Sequence, residues 1–303
     1  MPAPVVHPLT LEDRDWFEAM LKANGVLRDP LAAYSFPYHF IWQSLFTYEW
    51  VELEGHHCLL AGNQAGSFLA LPPLGPDPCG SAMARAFAFL ADRNQTPAVT
   101  RIENAPESLT SRCHEQGYRV TPKGPDYVYR RTDLVGLRGD RYKGQRVSYN
   151  HCLRHAHPSY RPYRSDDGDA CLALFRQWQA GVKETGAVDL ARHLAADAES
   201  AHRNALRHAT DLGLVGRVVE VDGKLAAYTF GYSLTPATFC VLLEIADRQV
   251  KGLSQFIFRE FCRELESYEL INTMDDSGLE GLRRAKLAYH PVRLVESYIV
   301  TAP

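Results

Sequence analysis

Two stretches of the chain, TRIENAPESLTSRCHEQGYRVTPKGPDYVYR (residues 100–130) and INTMDDSGLEGLRRAKLAYHPVRLVESYIV (271–300), follow one plan. Each reads as a strand, a polar turn, a helix of about ten residues ending in Gly-Tyr or Ala-Tyr, and a final strand. Tyr118 and Tyr289 lie 171 positions apart. The segments before them also correspond: a strand pair, an amphipathic helix, a strand. Self-similarity of this kind constrains the fold more than any composition does, because each copy must build the same supersecondary unit. The expectation is two related α/β units, residues 1–131 and 132–303.

Local signals fill in both halves. Thr10 and Asp13 have capping-box spacing ahead of a helical stretch that stops at Gly25. YSFPYHFIWQSLFTYEW carries eight aromatics between Tyr34 and Trp50 and reads as helix or loop leading into a strand. WVELEGHHCLLAG and AGSFLALPPLG read as strands, GSAMARAFAFLADRN as an amphipathic helix and AVTRIEN as a strand. In the second half, LVGRVVEVDGKLAAYTFGYSL predicts a hairpin turning at Asp222-Gly223, and TFCVLLEIA a buried strand. A glycine-containing loop, DRQVKGLS, leads into the helix QFIFREFCRELES, and YELINTM is a further strand. This strand, loop, helix, strand, helix, strand order is that of the N-acetyltransferase-like fold. The predicted class is α/β (α+β): two tandem units with mixed sheets flanked by helices.

Composition narrows the function. At 303 residues, 46% hydrophobic and 23% charged, the chain is an ordinary globular one. No stretch approaches the ~18 apolar residues of a membrane span, and the N-terminus lacks a secretory pattern, so a soluble, cytoplasmic protein is expected. Seven scattered cysteines without a C-x-x-C suggest reduced, packed thiols and no zinc site. His151 and His155, four apart and without further ligands nearby, read as part of a basic helix face, so no metal is expected. The net charge of −3 offers no general attraction to polyanions. Between Arg130 and Arg164, however, the net charge is +7, with tyrosines interleaved. Lys143, Arg146, Asn150 and Arg154 on this segment are candidates to face a polyanion such as tRNA; the alternative is a solvated helix face.

The stretch DDSGLEGLRRAKLAYHP (275–291) holds the sharpest candidates. Ser277 and Glu280 have capping-box spacing, and Pro291 should end the helix they start. Leu279, Leu282 and Tyr289 then share a face with Lys286 in its middle, Arg283 beside it and Arg284 pointing away. Either Lys286 snorkels to water along that stripe, or the stripe borders a polar cleft where Asp275, Asp276 or Glu244 balances the ammonium. Glu244 itself stands in the apolar run CVLLEIA, a costly place for a carboxylate.

The chain resembles the family related to the C-terminal domain of phosphatidylglycerol lysyltransferase, as a stand-alone member. The resemblance runs through AAYSFPYHFIWQ, DLVGLRGDRYKGQRVSYNHCLRH and LLEIADRQVKGLSQFIF to GLEGLRRAKLAYHP. It implies a transfer of an aminoacyl group from aminoacyl-tRNA to a lipid hydroxyl or other small acceptor, with no cofactor required. Peripheral contact with a membrane would follow from a lipid acceptor. An aminoacyl ester is already activated, so such an enzyme must orient the acceptor, take its proton and stabilise an oxyanion. Glu244, Asp275 and Asp276 are the candidates for base or ammonium anchor; Arg283 and Lys286 would face phosphate, acceptor or oxyanion, with Tyr289 lining the site. The loop QVKGLS partly matches the pyrophosphate loop of acetyl-CoA enzymes: Gln249 and Gly252 fit, Ser254 replaces the last small position, and Lys251 and Ser254 join them as candidate binding residues. Acetyl-CoA or another acyl-CoA is therefore the alternative donor. A non-catalytic tRNA- or protein-binding module is the second alternative. Chemistry is expected in the second unit, because the helix around Tyr118 has no Arg/Lys pair on the matching stripe, and the first unit reads as non-catalytic.

Overall fold

The structure, a computed structural model, describes residues 4–25, 31–183 and 189–303. The first half of the chain runs β1 (Val6–Pro8), α1 (Arg14–Ala23), α2 (Phe36–Ile41), β2 (Thr47–Leu53), β3 (His56–Asn63), β4 (Gly66–Leu69), α3 (Ser81–Arg93), β5 (Ile102–Pro106), α4 (Glu107–Glu115), β6 (Arg119–Pro122) and β7 (Asp126–Arg130). After α5 (Arg131–Gly136) and α6 (Lys143–His155) the plan recurs. It runs β8 (Ser159–Pro162), α7 (Gly168–Lys183), α8 (Asp189–Arg207), β9 (Val215–Val221), β10 (Lys224–Thr235), β11 (Thr238–Ala246), α9 (Leu253–Glu264), β12 (Leu270–Asn272), α10 (Glu280–Leu287), β13 (Arg293–Val295) and β14 (Ser297–Thr301).

The repeat read from the sequence is therefore present element by element, in two mixed seven-stranded sheets. Their orders are β1-β2-β3-β4-β5-β14-β6 and β8-β9-β10-β11-β12-β7-β13. Each half lends its last strand to the other sheet. β14 pairs antiparallel with both β5 and β6, and β7 pairs antiparallel with β12, placing Ile271 opposite Tyr129. A contiguous division at residue 131 does not survive this exchange. The first unit takes the chain to Asp126 together with 275–278 and 294–303, and the second takes 127–274 with 279–293.

Local chemistry sets the elements. Thr10 forms its expected capping box, with its backbone N–H and hydroxyl 2.7 and 3.0 Å from Asp13 Oδ2. Asp222 and Gly223 adopt φ of 51° and 73°, the left-handed pair that a two-residue hairpin needs, and join β9 to β10. In the first unit, Val51, Leu60, Leu69, Met83, Leu90 and Ile102 form the centre of the core between sheet and helix. In the second, α9 buries Leu253, Phe256, Ile257, Phe258, Phe261 and Cys262. At roughly 1.5–3 kcal/mol for each large apolar side chain, this helix is a principal anchor of its unit.

α10 is held differently. None of its side chains is fully buried, and Leu279, Leu282 and Leu287 are 53%, 38% and 41% exposed. The expected apolar stripe is thus largely solvent-facing. Its carboxyl end is fixed instead through backbone carbonyls: Tyr129 donates to Lys286 O at 3.0 Å, Gln145 to Ala288 O at 2.6 Å and Tyr142 to Tyr289 O at 3.1 Å. These are the acceptors a helix C-terminus leaves without intrahelical partners. The predicted start also differs. Ser277 sits at φ 50° with its N–H and hydroxyl turned to Asp275 Oδ1, so it does not cap, and Leu279 occupies the cap position. A local turn around an aspartate has outcompeted the capping box.

Candidate active site in the second unit

β11 and β12 run parallel but pair only from Thr238–Cys240 to Leu270–Asn272, while β11 continues to Ala246. The two strands thus leave an opening beyond Cys240. A bulge decides what faces it. Phe230 and Gly231 on β10 oppose Leu243 and Val241, so Leu242 is an extra residue that inverts the alternation. Phe239 and Val241 pack with α9, whereas Leu243 and Ile245 pack on the other face with α7. Glu244 therefore shares the α9 face, where simple alternation from Phe239 would have put a residue of opposite parity outside.

Glu244 is the most perturbed acid of this face. Its Oε2 is fully buried without a hydrogen-bond partner. Burial pushes its carboxyl up to about 8, against a smaller opposing hydrogen bond from Thr229, which stands directly across on β10. The Tyr289 hydroxyl is pushed well above its ordinary range by burial first and by the Glu244 charge next. Burial and then Glu244 push the Cys262 thiol up in the same way, opposed by Arg131. The Tyr289 ring stands edge-on to Phe258 at 5.2 Å and to Tyr129 at 6.5 Å. Beside them, the Tyr129 hydroxyl is raised chiefly by burial and neighbours the Thr273 side chain. The result is a carboxylic acid with a raised pKa near aromatic rings, on the part of β11 that runs beyond its pairing with β12. Such a group can take a proton from a nucleophile at neutral pH.

Lys286 does not snorkel freely to water. Its ammonium donates to Thr273 O at 2.5 Å and Met274 O at 3.1 Å, and lies 5.6 Å from the centre of the Tyr127 ring. It ties α10 to the chain just after β12, where Met274 adopts φ 64° and its carbonyl also accepts from Tyr127 N at 3.1 Å. Arg283 is exposed. Asp275 and Asp276 spend Oδ1 on turn hydrogen bonds to Ser277 N and Gly278 N, the capping-type role, and their short segment belongs to the first unit.

Of the basic candidates on α6, Lys143, Asn150 and Arg154 are exposed. Arg146 is not available in the same way, since its guanidinium donates to the carbonyls of Leu137 and Gly139 and closes the turn after α5. Arg161 is likewise engaged with Asp167 and Glu220, and Arg131 with the carbonyls of Tyr268 and Cys262. The interleaved tyrosines are packing residues: Tyr142 and Tyr149 are buried, and Tyr149 stacks on Phe256 at 5.7 Å.

In the glycine loop, Gln249, Lys251 and Ser254 are exposed. Gly252 has φ 84°, and a Cβ there would lie 2.0 Å from the Ser148 carbonyl oxygen. The close seat of α6 on the start of α9 accounts for this glycine without a phosphate. The matching opening in the first unit is closed. β4 and β5 pair at Leu69 and Ile102, and then Asn104 donates to Ala70 O while its own carbonyl accepts from Tyr34. Among the described residues no cluster of three or more His, Cys, Asp or Glu could hold a metal, and no helix is long and apolar enough to cross a membrane.

The two repeated sheets with exchanged strands define a tandem N-acetyltransferase-like protein. The sequence profile of the family described as phosphatidylglycerol lysyltransferase, C-terminal, matches residues 28–301, and the chain belongs to that family. Among solved structures, a conserved protein of unknown function from Bacteroides thetaiotaomicron is similar over 99% of this chain and 100% of its own, with 23% identity and a TM-score of 0.83. The structure of L-PGS from Bacillus licheniformis is similar over 95% of this chain and 91% of its own, with 14% identity and a TM-score of 0.64. A tandem GNAT protein from the clavulanic acid biosynthesis pathway covers 99% of each chain at 13% identity and a TM-score of 0.51. No curated protein matches the chain in sequence.

Proposed function

We propose that the chain is an aminoacyltransferase that moves an aminoacyl group from aminoacyl-tRNA to a lipid hydroxyl or other small acceptor, with the chemistry in the second unit. The observation that carries this reading is Glu244, a buried carboxyl with an unpartnered oxygen and a raised pKa at the opening between β11 and β12. Family membership supports an acyl- or aminoacyl-transferase role.

In this reading Glu244 takes the proton of the acceptor hydroxyl as its oxygen attacks the aminoacyl ester carbon. The tetrahedral intermediate then collapses, expelling the ribose oxygen of the tRNA, and the proton held by Glu244 is available to that leaving group. No cofactor is needed, because the ester supplies the driving force. Tyr289 and the rings around it exclude water, which would otherwise hydrolyse the ester. Lys286 positions the end of β12 that forms one side of the opening. Lys143, Arg154 and Arg283, all exposed, meet tRNA phosphates, and the first unit, its own opening closed by Asn104, contributes no chemistry. The packing role found for Gly252 favours aminoacyl-tRNA over acyl-CoA as donor.

The test offers labelled aminoacyl-tRNA and labelled acetyl-CoA separately, with a lipid extract as acceptor, and follows label from pH 6 to 9. The expected result is transfer from aminoacyl-tRNA alone, rising with pH and levelling above about 8. Transfer from acetyl-CoA, or a rate indifferent to Glu244→Gln, would reject the reading.

A further inference from the structure

In the first unit, which does not contain Glu244, two thiols face one another. Cys79 lies just before α3, in the turn capped by Gly80, and Cys113 lies in the last turn of α4. Their sulfurs are 3.4 Å apart, and both residues are buried, at 1% and 0% exposure. The segments that carry them are held in register by an ion pair two residues before one thiol and one residue before the other. Arg112 Nη2 is 2.8 Å from Asp77 Oδ1. Cys79 and Cys113 belong to the edge of the first unit's core, and Pro76 and Asp77, reached from Cys79 through the half-buried Pro78, are exposed.

We propose that Cys79 and Cys113 form a modification site that closes to an intramolecular disulfide when a small disulfide oxidant reaches it. The Cys79 thiolate attacks one sulfur of the oxidant, forming a mixed disulfide and releasing one thiolate. Cys113, its proton lost to solvent, then attacks the Cys79 sulfur and expels the second thiolate. Two electrons pass to the oxidant, which leaves as two thiols after taking up the two protons. The order of attack follows first from position, since Cys79 adjoins the exposed loop at Pro76 and Asp77 whereas Cys113 lies on α4. The hydrogen bond from Cys113, with Arg112 nearby, holds the Cys79 thiol below its ordinary range, and the same hydrogen bond pushes the Cys113 thiol up. The attacking thiol is thus the one next to the exposed loop, and the resolving thiol is the one on the helix.

Closure ties the turn before α3 to the end of α4 and encloses α3 and β5 within one covalent loop. Such a loop restricts the unfolded chain, so the first unit becomes harder to unfold. The sulfurs need to approach by little more than an ångström to reach bonding distance, about 2 Å, which the neighbouring surface turn can supply.

The experiment incubates the folded chain with glutathione disulfide, quenches free thiols by alkylation, and maps linked peptides by mass spectrometry beside thermal melts. The expected result is a linked peptide joining Cys79 to Cys113, reversal by dithiothreitol, and a melting temperature higher by about 5 °C or more. In Cys113→Ser the expected product is a glutathione adduct on Cys79, because no resolving thiol remains. The parent protein alone decides the matter if that variant does not fold. Cys79 and Cys113 both recovered fully alkylated from folded, oxidant-treated protein, or linked to other cysteines, would overturn the proposal.

Discussion

Replacing Glu244 with Gln removes a charge that the fold does not accommodate. Burial raises the carboxyl from an ordinary 4.5 to about 8. At about 1.4 kcal/mol for each tenfold change in proton affinity, that gap corresponds to an upper bound on the order of 5 kcal/mol. Water reaching the partly exposed residue and local relaxation bring the expected figure down to a few kcal/mol. The sign follows from linkage. The folded protein holds its proton more tightly than the unfolded chain, so stability is highest below pH 4.5, falls as pH rises, and reaches its lower plateau above about 8. Glu244→Gln mimics the protonated acid at every pH. Urea unfolding followed by circular dichroism from pH 4 to 9 should therefore show the variant close to the parent at pH 4 and progressively more stable above it. The gain should reach a few kcal/mol at pH 9, while transfer is lost. A difference that is constant with pH, or a variant less stable than the parent at pH 9, would refute the burial argument.

Other substitutions separate packing from function. Lys286→Met loses two hydrogen bonds from a charged donor and leaves the Thr273 and Met274 carbonyls without it, so a loss of about 1–3 kcal/mol is expected in chemical denaturation; an unchanged midpoint would show that the ammonium contributes nothing there. Gly252→Ala places a methyl against the Ser148 carbonyl at a left-handed φ and should cost more than ~1 kcal/mol, measured by thermal melting. Lys143→Ala with Arg154→Ala should weaken tRNA binding and make its salt dependence shallower by about 1 for each phosphate no longer neutralised, with no change in stability. Arg146→Ala should lower stability instead, because its guanidinium closes the turn after α5.

The repeat is legible in the sequence because strand, turn and helix signals recur in order, and the Thr10 and Asp222-Gly223 signals are met atom by atom. The exchange of β7 and β14 is not, since the apolar pattern of a strand says that it is buried but not which sheet accepts it. Glu244 stands out as a carboxylate in an apolar run, but its facing depends on the bulge at Leu242, which nothing in β11 itself marks; the glycine at the shift, Gly231, is on the facing strand, and its partner is not legible from sequence. In the sequence Lys286 and Arg146 look like cations in want of acids or phosphates. Both find backbone carbonyls, acceptors that every residue carries and no sequence pattern reveals. The Ser277 box fails for a related reason: Asp275 offers the serine a closer partner.

The central claim is aminoacyl transfer with Glu244 as base, and a single-turnover assay with labelled aminoacyl-tRNA measures it most directly. Parent protein should move label to an extractable acceptor, with a rate that rises toward a plateau above about pH 8, and Glu244→Gln, folded and at least as stable at that pH, should not. Label that stays on tRNA with the parent under every acceptor tried, or moves equally with Glu244→Gln, would contradict the account.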